Sequence, residues 1–453
     1  MFLFPIVALT QQPWFKSSPL DYIWMNVGSP GFSLGMAQYT SICFNPSGVP
    51  YVAYSDGANS LKATVMKFNG NSWMNVGNAG FTPGEAQYIS LAFSPSGEPF
   101  VAYQDWGNAF KASVMKFNGT FWVSVGNPGI SPGHAESTSI SFNPSDSIPY
   151  IGFGDGGNSY KATVMKFDGT NWMNVGVPGF SIGHARYTSL AFSPSNEPCL
   201  AYSDGGLAYK ATLMKFDGST WVNVGLAGFS QGNADFISLA FSSGGEPYIA
   251  FIDSIYSWKA TVMNFDGTNW SNVGSPGFSA GSVGFTSIAM GPSGEPYIVY
   301  EEDISYSNKA TVMKFDGNNW VGIGIGFSAG GVNYTKLAFS PSGQPYVVYE
   351  DNANANKATV MKYDSVFTGI SDLRQSKLTI YPNPATTKLT IDFGDITTEN
   401  KTLEITDMKG IKIFGTVTSD KAINLNVQNY VPGVYFVKLK TKTSSCIQKF
   451  CKK

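Results

Sequence analysis

The strand-forming segments of this chain do not alternate apolar and polar residues as half-buried strands do. In one representative stretch, the strand signals are YTSLAF (187–192), PCLAYSD (198–204), YKATLMKF (209–216) and WVNVG (221–225). Apolar side chains occupy both odd and even positions, so both faces of each strand should be buried. The segments between them are short and rich in Gly, Pro, Asn and Ser, which is typical of hairpin turns. The pattern predicts a four-stranded antiparallel sheet packed between two others.

The same unit recurs seven times. Its tryptophans lie 49 or 50 residues apart, and the lysines of its KAT or KAS motif lie 48 to 50 residues apart. The tryptophans are Trp24, Trp73, Trp122, Trp172, Trp221, Trp270 and Trp320, and the lysines are Lys62, Lys111, Lys161, Lys210, Lys259, Lys309 and Lys357. Four strands in a repeat of about 50 residues are typical of a β-propeller blade.

The two ends of the repeat region complement each other. The chain enters on one spare tryptophan strand, and the last unit lacks that strand, so pairing the two would close the ring and remove two exposed edges. The predicted fold class is therefore all-β. We expect a seven-bladed β-propeller with four-stranded blades over residues 21–364, closed by the N-terminal strand and followed by a small C-terminal β-sandwich.

The loops of such a propeller fall on two faces. The first-to-second and third-to-fourth turns share one face and are nearly uniform in sequence. The second-to-third turns and the inter-blade segments share the other face, which we call the variable face, and they differ from copy to copy (GANSL, WGNAF, GGNSY and GGLAY, for example). A rigid scaffold whose loops vary on one face is typical of a binding site.

The variable face carries our candidate ligand-binding residues. Aromatic rings among Asn, Ser, Asp and Gln can stack on sugars or anchor a protein partner, although the rings could also simply cap the blades. Two of the candidates are histidines at the same position of consecutive blades, where imidazoles can share a metal or act in acid–base chemistry. Since no third ligand is evident, we predict no metal and no cofactor. The candidates are Trp106, Phe110, Tyr160, Tyr209, Tyr256, Trp258, Tyr306, His134 and His184.

Carboxylates are repeated on the same face. An aspartate lies six residues before each KAT lysine, where it should form an ion pair across the hairpin or cap the turn. These residues are Asp56, Asp105, Asp155, Asp204, Asp253, Asp303 and Asp351. A polysaccharide hydrolase or lyase would instead draw its carboxylates from Glu85, Glu136, Asp235, Glu301, Glu302 and Glu350. We assign no catalytic residue.

The charge distribution and the cysteine content limit the kinds of partner that the chain can bind. Residues 371–453 carry 13 basic and 7 acidic side chains, whereas the rest of the chain carries 16 basic and 24 acidic ones. An acidic propeller repels phosphate backbones, so we predict no nucleic-acid partner. The four cysteines show neither a disulfide framework nor a metal spacing. We expect a monomer.

The first 20 residues contain a short apolar stretch without a basic start. This stretch resembles the end of a secretory signal peptide and is too short to span a bilayer, so we predict no membrane span. A disordered or strand-forming terminus is the alternative.

After a linker (365–377), the C-terminal segment reads as a small antiparallel sandwich over residues 378–453. Its motifs YPNPATTKLTI, DMKGIKI and GVYFVKL, with a lysine-rich end, resemble the C-terminal sorting domain of the type IX secretion system of Bacteroidetes. Cys451 stands where that family usually has an aliphatic residue. The resemblance implies Sec export, passage through the outer membrane, and the secretion machinery as a partner. The residues that carry it are Tyr381, Pro382, Asn383, Pro384, Gly433, Tyr435, Lys449 and Phe450.

Together these patterns predict an exported binding or adhesion module at the cell surface or outside the cell, whose ligand is a glycan or a surface protein. A secreted polysaccharide-degrading enzyme and a structural surface component remain the alternatives.

Overall fold

The computed structural model describes residues 21–303, 307–366, 378–394, 400–408, 411–441 and 445–453. These residues form two compact units, one spanning Tyr22–Asp364 and one containing the chain from Ser365 to the C-terminus. The signal-like segment (1–20) and residues 367–377 of the expected linker lie outside the described residues.

The first unit contains seven four-stranded antiparallel sheets, which we number as blades in chain order. Blade 1 holds β2 (Ala37–Phe44), β3 (Pro50–Asp56), β4 (Lys62–Phe68) and β5 (Trp73–Asn75). Blade 2 holds β6 (Ala86–Phe93), β7 (Pro99–Asp105), β8 (Lys111–Phe117) and β9 (Trp122–Ser124). Blade 3 holds β10 (Ala135–Phe142), β11 (Pro149–Asp155), β12 (Lys161–Phe167) and β13 (Trp172–Asn174). Blade 4 holds β14 (Ala185–Phe192), β15 (Pro198–Asp204), β16 (Lys210–Phe216) and β17 (Trp221–Asn223).

The remaining blades follow the same plan. Blade 5 holds β18 (Ala234–Phe241), β19 (Pro247–Asp253), β20 (Lys259–Phe265) and β21 (Trp270–Asn272). Blade 6 holds β22 (Val283–Met290), β23 (Pro296–Glu302), β24 (Lys309–Phe315) and β25 (Trp320–Gly324). Blade 7 holds β26 (Val332–Phe339), β27 (Pro345–Asp351), β28 (Lys357–Val366) and β1 (Asp21–Asn26). Short 3₁₀ helices follow second strands at Gly57–Asn59, Trp106–Asn108, Gly156–Asn158, Gly205–Leu207, Ser254–Tyr256 and Asn352–Asn354.

Blade 7 confirms the predicted closure of the ring. Its strand order is β1-β28-β27-β26, so the N-terminal strand supplies the fourth strand that the last repeat lacks. Trp24 of β1 then takes the tryptophan position of that blade. Its indole N–H donates to the Ile323 carbonyl at 3.1 Å, and its ring stacks on Phe327 with centroids 4.5 Å apart.

The repeated tryptophans join consecutive blades. Each of the seven donates its indole N–H to a backbone carbonyl of the preceding blade, at 2.6–3.1 Å. Six of them also stack on a phenylalanine, with centroids 3.8–4.5 Å apart. The glycine of the NVG motif makes this approach possible: at Gly77, φ is +71° and an added Cβ would lie 2.9 Å from the Phe117 ring. Burial and these paired contacts explain why the copies agree at these positions.

The second-strand aspartates cap turns and do not pair with the lysines. In blade 1, Asp56 is 1% exposed; its Oδ1 accepts from the Ala58 N–H at 3.0 Å and its Oδ2 from Thr64 and Asn59 at 2.8 and 2.9 Å. Among the described residues, no ion pair joins these aspartates to the KAT lysines, although Asp56 and Lys62 are register partners. The hydrogen bonds hold the carboxylate in the turn, which supports the capping alternative.

Blade 6 corrects one member of this set. Glu302, not Asp303, is the register partner of Lys309, because the turn of this blade is one residue longer. The Glu302 carboxylate accepts from Thr311 Oγ1 at 2.9 Å and from the Ala280 N–H at 2.7 Å, and the residue is 2% exposed. The longer side chain therefore supplies the cap in this blade.

The second unit is a two-sheet sandwich. One sheet has the order β29 (Thr379–Tyr381), β30 (Lys388–Asp392), β33 (Ala422–Asn426), and the other has the order β32 (Lys412–Thr418), β31 (Lys401–Asp407), β34 (Gly433–Lys440), β35 (Ser445–Lys452). Leu389, Ile391, Leu403, Ile405 and Val437 are all fully buried in its core. Because β30, β31 and β34 alternate buried with more exposed residues, each sheet has one core face and one outer face, as predicted.

Candidate functional site

The two sets of variable segments are hydrogen-bonded to each other on one face of the propeller. In blade 3, the Gly156 N–H donates to the His134 carbonyl at 2.7 Å, and in blade 4 the Gly205 N–H donates to the His184 carbonyl at 2.8 Å. Equivalent bonds recur in the other blades. The side chains of the second-to-third turn and of the inter-blade segment are thus held close together on a rigid frame.

The second-to-third turns carry aromatic residues in an unfavourable backbone conformation. In blades 1 to 5 and 7 the turn ends in two left-handed residues. The second of these is Phe110, Tyr160, Tyr209 or Trp258 in blades 2 to 5, with φ of 57–62°. Blades 1 and 7 have Leu61 and Asn356 at that position. The left-handed conformation costs a bulky residue about 1–2 kcal/mol and favours Gly or Asn. The fold therefore does not need aromatic residues there.

Six of the candidate residues form a continuous row, which we call the aromatic band: Trp106, Phe110, His134, Tyr160, His184 and Tyr209. The ring centroids are 4.7 Å apart for Trp106 and Phe110, 4.9 Å for Phe110 and His134, and 5.2 Å for Tyr160 and His184. The Tyr160 hydroxyl lies 3.5 Å from His134 Nδ1. Trp106 is 45% exposed. The band crosses blades 2 to 4 and offers ring faces and polar edges to solvent.

The two histidines are joined through one tyrosine and one of them also meets a carboxylate. Tyr160 contacts both of them, and His184 Nε2 lies 2.9 Å from a carboxylate oxygen of Glu136. No group of three or more His, Cys, Asp or Glu residues that could hold a metal ion occurs within the described parts of the chain.

Two further candidate residues lie outside this band. Trp258 is 46% exposed on blade 5. Tyr256 packs under the next inter-blade segment, where a Cβ on Gly277 would lie 2.6 Å from its own Cβ. Tyr306 lies outside the described residues.

Several of the candidate carboxylates already have other roles. Glu302 is a buried turn cap, as described above, which removes it from the enzyme hypothesis. Glu136 pairs with His184, and Glu85 accepts from Gln87 at 2.8 Å. Glu350 is only 4% exposed, and burial raises its pKa to about 7. A buried carboxyl is poorly placed to meet a polymer.

Glu301 and Asp235 differ from that group because each is half-buried. Burial, and secondarily the charge of Asp303, raises the pKa of Glu301 to about 7. Its carboxyl occupies space left by Gly284, since a Cβ there would lie 3.0 Å from Glu301 Oε2. Burial also raises the pKa of Asp235, against the opposing charge of Arg186.

The first strands carry a ring of residues that the sequence analysis did not single out. We call it the collar, and it consists of Tyr39, Tyr88, Ser137, Tyr187, Phe236, Phe285 and Tyr334. Each collar residue lies at a β-bulge with φ of 49–55°, which turns its side chain toward the central channel. Five consecutive ring pairs lie 4.7–5.3 Å apart, and Ser137 leaves the one gap. An aromatic residue at the same position in six of seven copies was the available signal.

Arg186 connects the collar to the aromatic band. Its guanidinium lies 5.1 Å from the Tyr187 ring and 5.2 Å from the Tyr209 ring, and it donates to the Tyr187 hydroxyl at 3.2 Å. Cation–π contacts of this kind fix the guanidinium against the rings. The variable face therefore offers a positive charge beside the band.

The residues of the predicted sorting signal meet within the C-terminal sandwich. Asn383 Oδ1 accepts from the Cys451 N–H at 2.9 Å, and Asn383 Nδ2 donates to the Lys449 carbonyl at 3.3 Å. Tyr435 stacks on Phe450 with centroids 5.3 Å apart. The YPNP segment is thereby hydrogen-bonded to the last strand, although Tyr381 itself is 52% exposed. In the described part of the chain, no helix has the length and apolar character needed to cross a membrane.

Comparison with solved structures identifies the propeller fold. The BP39L lectin from Burkholderia pseudomallei aligns with a TM-score of 0.53 and 12% identity over 73% of this chain and 99% of its own. PorZ, a surface component of the type IX secretion system of Porphyromonas gingivalis, aligns with a TM-score of 0.48 and 14% identity. That alignment covers 93% of this chain, which spans 60% of the PorZ chain. At 12% identity, the likeness to the BP39L lectin is one of fold alone.

No curated protein sequence matches the chain significantly. One protein family does, over residues 379–453, and it is described as the "Secretion system C-terminal sorting domain". The match confirms the resemblance seen in the YPNP, GVYFVKL and C-terminal lysine motifs. Residues 379–453 are a sorting domain of the type IX secretion system, and the protein is a cargo of that system, exported to the cell surface or the extracellular space.

Proposed function

We propose that the propeller is an exported glycan-binding module and that the aromatic band on its variable face is the binding surface. The observation that carries the proposal is the continuity of the band across blades 2 to 4, from Trp106 to Tyr209. Sugar rings stack their C–H faces on aromatic side chains and hydrogen-bond to the polar groups between them. The band supplies both kinds of contact.

The backbone supports the same proposal. Phe110, Tyr160 and Tyr209 adopt the left-handed conformation, for which glycine or asparagine is the favoured residue. Because leucine and asparagine occupy that position in other blades, packing does not require aromatic rings there. Backbone strain at bulky residues is typical of ligand-contacting positions.

A glycan array probed with the full chain tests the proposal. We expect hits that Trp106→Ala and Tyr160→Ala weaken by about five- to thirtyfold, because each stacked ring contributes on the order of 1–2 kcal/mol. Phe121→Ala is the matched control, since Phe121 is 62% exposed in a third-to-fourth turn on the opposite face. Silence on plant, algal and host glycans, or equal loss in the control, would contradict glycan binding. Capture of a surface protein through the band would identify the alternative ligand.

Glu301 favours a second candidate function, cleavage of a polysaccharide. A half-buried carboxyl with a pKa of about 7 keeps its proton near neutral pH, as a general acid must. In that case, reducing ends would be released from a polysaccharide panel by the wild type and not by Glu301→Gln, while array binding stayed intact. Absence of release from every substrate would exclude this activity for the panel and leave the binding proposal standing.

A further inference from the structure

The central channel contains a cavity at the level of the collar. It has a volume of about 170 Å³ and is lined by the collar residues, by the residues that follow them, and by Lys336. A cavity of about 150 Å³ is large enough to bind benzene. The space therefore suits a molecule built on one six-membered ring.

Lys336 interrupts a regular feature of the channel wall. In blades 1 to 6 the second residue after the collar position is a serine, whose Oγ accepts a backbone N–H of the next blade at 3.0–3.2 Å. These serines are Ser41, Ser90, Ser139, Ser189, Ser238 and Ser287. Blade 7 has Lys336 instead. Because an ammonium group cannot accept a hydrogen bond, the equivalent bond to the Ile42 N–H is lost between blades 7 and 1.

The surroundings leave the Lys336 amine without a partner of its own. No hydrogen bond or ion pair of Lys336 is found in the described parts of the chain, and its side chain stays accessible within the cavity. The walls of the channel displace bulk water around it, and this burial lowers the pKa of the amine. Because the side chain remains exposed to the channel, solvent screens much of this desolvation cost. An anionic ligand would offset that cost.

The rest of the lining supplies no competing charge. Thr40, Thr138, Thr188, Thr286 and Thr335 each donate their hydroxyl proton to a carbonyl of the preceding blade, so their oxygens remain only as acceptors. The collar contributes ring faces and edges, and Ile89 and Ile237 contribute alkyl surface. Within the described lining, Lys336 is the single cationic group.

We propose that this cavity binds a small carboxylate carried on a six-membered ring, with the Lys336 ammonium as the partner of the carboxylate and the collar as the surface for the ring. The site is separate from the aromatic band and does not depend on glycan binding there. A charge-assisted contact to Lys336 would restore the partner that the fold does not provide.

Fluorine NMR with 4-fluorobenzoate as the probe and the full chain as the receptor tests the proposal. Lys336→Ser copies the residue of the other six blades, and Lys336→Met keeps the length of the side chain without its charge. We expect both variants to bind the probe at least tenfold more weakly than the wild type, because a hydrogen bond to a charged group is lost. The neutral analogue 4-fluorobenzyl alcohol should bind wild type and Lys336→Met within about threefold of each other.

Equal affinity of the carboxylate for all three proteins would overturn the proposal, as would no binding to the wild type at about 10 mM probe. Trp106→Ala separates the two sites: it should leave probe binding unchanged, and loss of the signal would place the probe on the band instead. Competition by glucuronate would identify a sugar acid as the ligand class, and competition by cyclohexanecarboxylate alone would identify an apolar ring acid.

Thermal unfolding checks that the variants report on binding. Lys336→Ser should unfold at the same or a higher temperature than the wild type, because it restores the inter-blade hydrogen bond and removes an unpaired amine. A lower unfolding temperature would mean that Lys336 already has a structural partner, which contradicts the proposal.

Discussion

Replacing Asp56 by alanine should destabilise the propeller far more than replacing its register partner Lys62. The Asp56 carboxylate accepts three hydrogen bonds at 2.8–3.0 Å, and the side chain is 1% exposed. Its partner Thr64 accepts the Gly80 N–H at 2.8 Å, so the cap also positions the segment that leads into blade 2. Hydrogen bonds to charged groups contribute about 1.5–3 kcal/mol each, and they are not additive within one network.

We therefore expect Asp56→Ala to cost about 3–5 kcal/mol. A unit of about 340 residues unfolds with an entropy near 0.7 kcal/mol per kelvin, so this loss lowers the midpoint by about 4–7 °C. Lys62→Met should shift it by under about 1 °C, since a partly exposed lysine without an ion pair contributes little. Asp217→Ala is a second control: Asp217 is an exposed aspartate that accepts two backbone N–H groups, and its loss should lower the midpoint much less than the loss of Asp56.

Differential scanning calorimetry of the four proteins at one pH measures these shifts. The outcome that would refute the reasoning is an equal loss in Lys62→Met and Asp56→Ala, because it would mean that the two residues form an ion pair. A shift below about 2 °C for Asp56→Ala would show that the turn holds its conformation without the cap.

Three other predictions follow from the packing, the buried acids and the sorting domain. Trp122→Phe keeps an aromatic ring, although a smaller one, and leaves the Val76 carbonyl without its 2.6 Å indole donor, so unfolding in denaturant should show a loss of about 1–3 kcal/mol. Burial raises the pKa of Glu350 from 4.5 to about 7, so the folded protein binds this proton more tightly than the unfolded chain does. The free energy of unfolding should therefore fall by about 3 kcal/mol as the pH rises from 4.5 to 7. Glu350→Gln should melt at a higher temperature than the wild type at pH 8 but not at pH 4.5. Deleting residues 378–453 should leave the protein in the periplasm on cell fractionation, and surface display of the truncated chain would contradict the sorting role.

The architecture could be predicted from the sequence because the seven copies of the repeat can be compared with one another. A tryptophan every 49 or 50 residues, and a hairpin between each pair, determine the number of blades before any contact is known. The spare strand at Trp24 predicts the closure that β1 and β28 make. The alternation of uniform and varied turns predicts which segments share a face, since hairpin strands must return to the same edge.

The details of the site depend on contacts that cannot be read from the period of the repeat or from the spacing of residues in the sequence. The collar arises from a bulge in each first strand, which turns residues such as Tyr39 toward the channel, and a strand read with period two does not reveal it. Counting six residues back from Lys309 selected Asp303, whereas the register selects Glu302 because the turn holds one extra residue. The pairing of His184 with Glu136 joins residues 48 apart, in different blades.

We look for function at residues that differ from the other copies of the repeat, because the shared residues are explained by the stability of the fold. Blade 3 has Ser137 where the other six blades place a ring, and this gap follows Glu136, the partner of His184 in the aromatic band. Blade 7 has Lys336 where the others place a hydrogen-bonding serine. Ser137 removes a ring from the collar, but its Oγ accepts the Tyr187 N–H of blade 4 at 3.1 Å. Lys336 removes an inter-blade bond and leaves a cation without a partner. The hydrogen bond to Tyr187 explains the serine of blade 3, whereas a carboxylate bound to Lys336 would account for the lysine of blade 7.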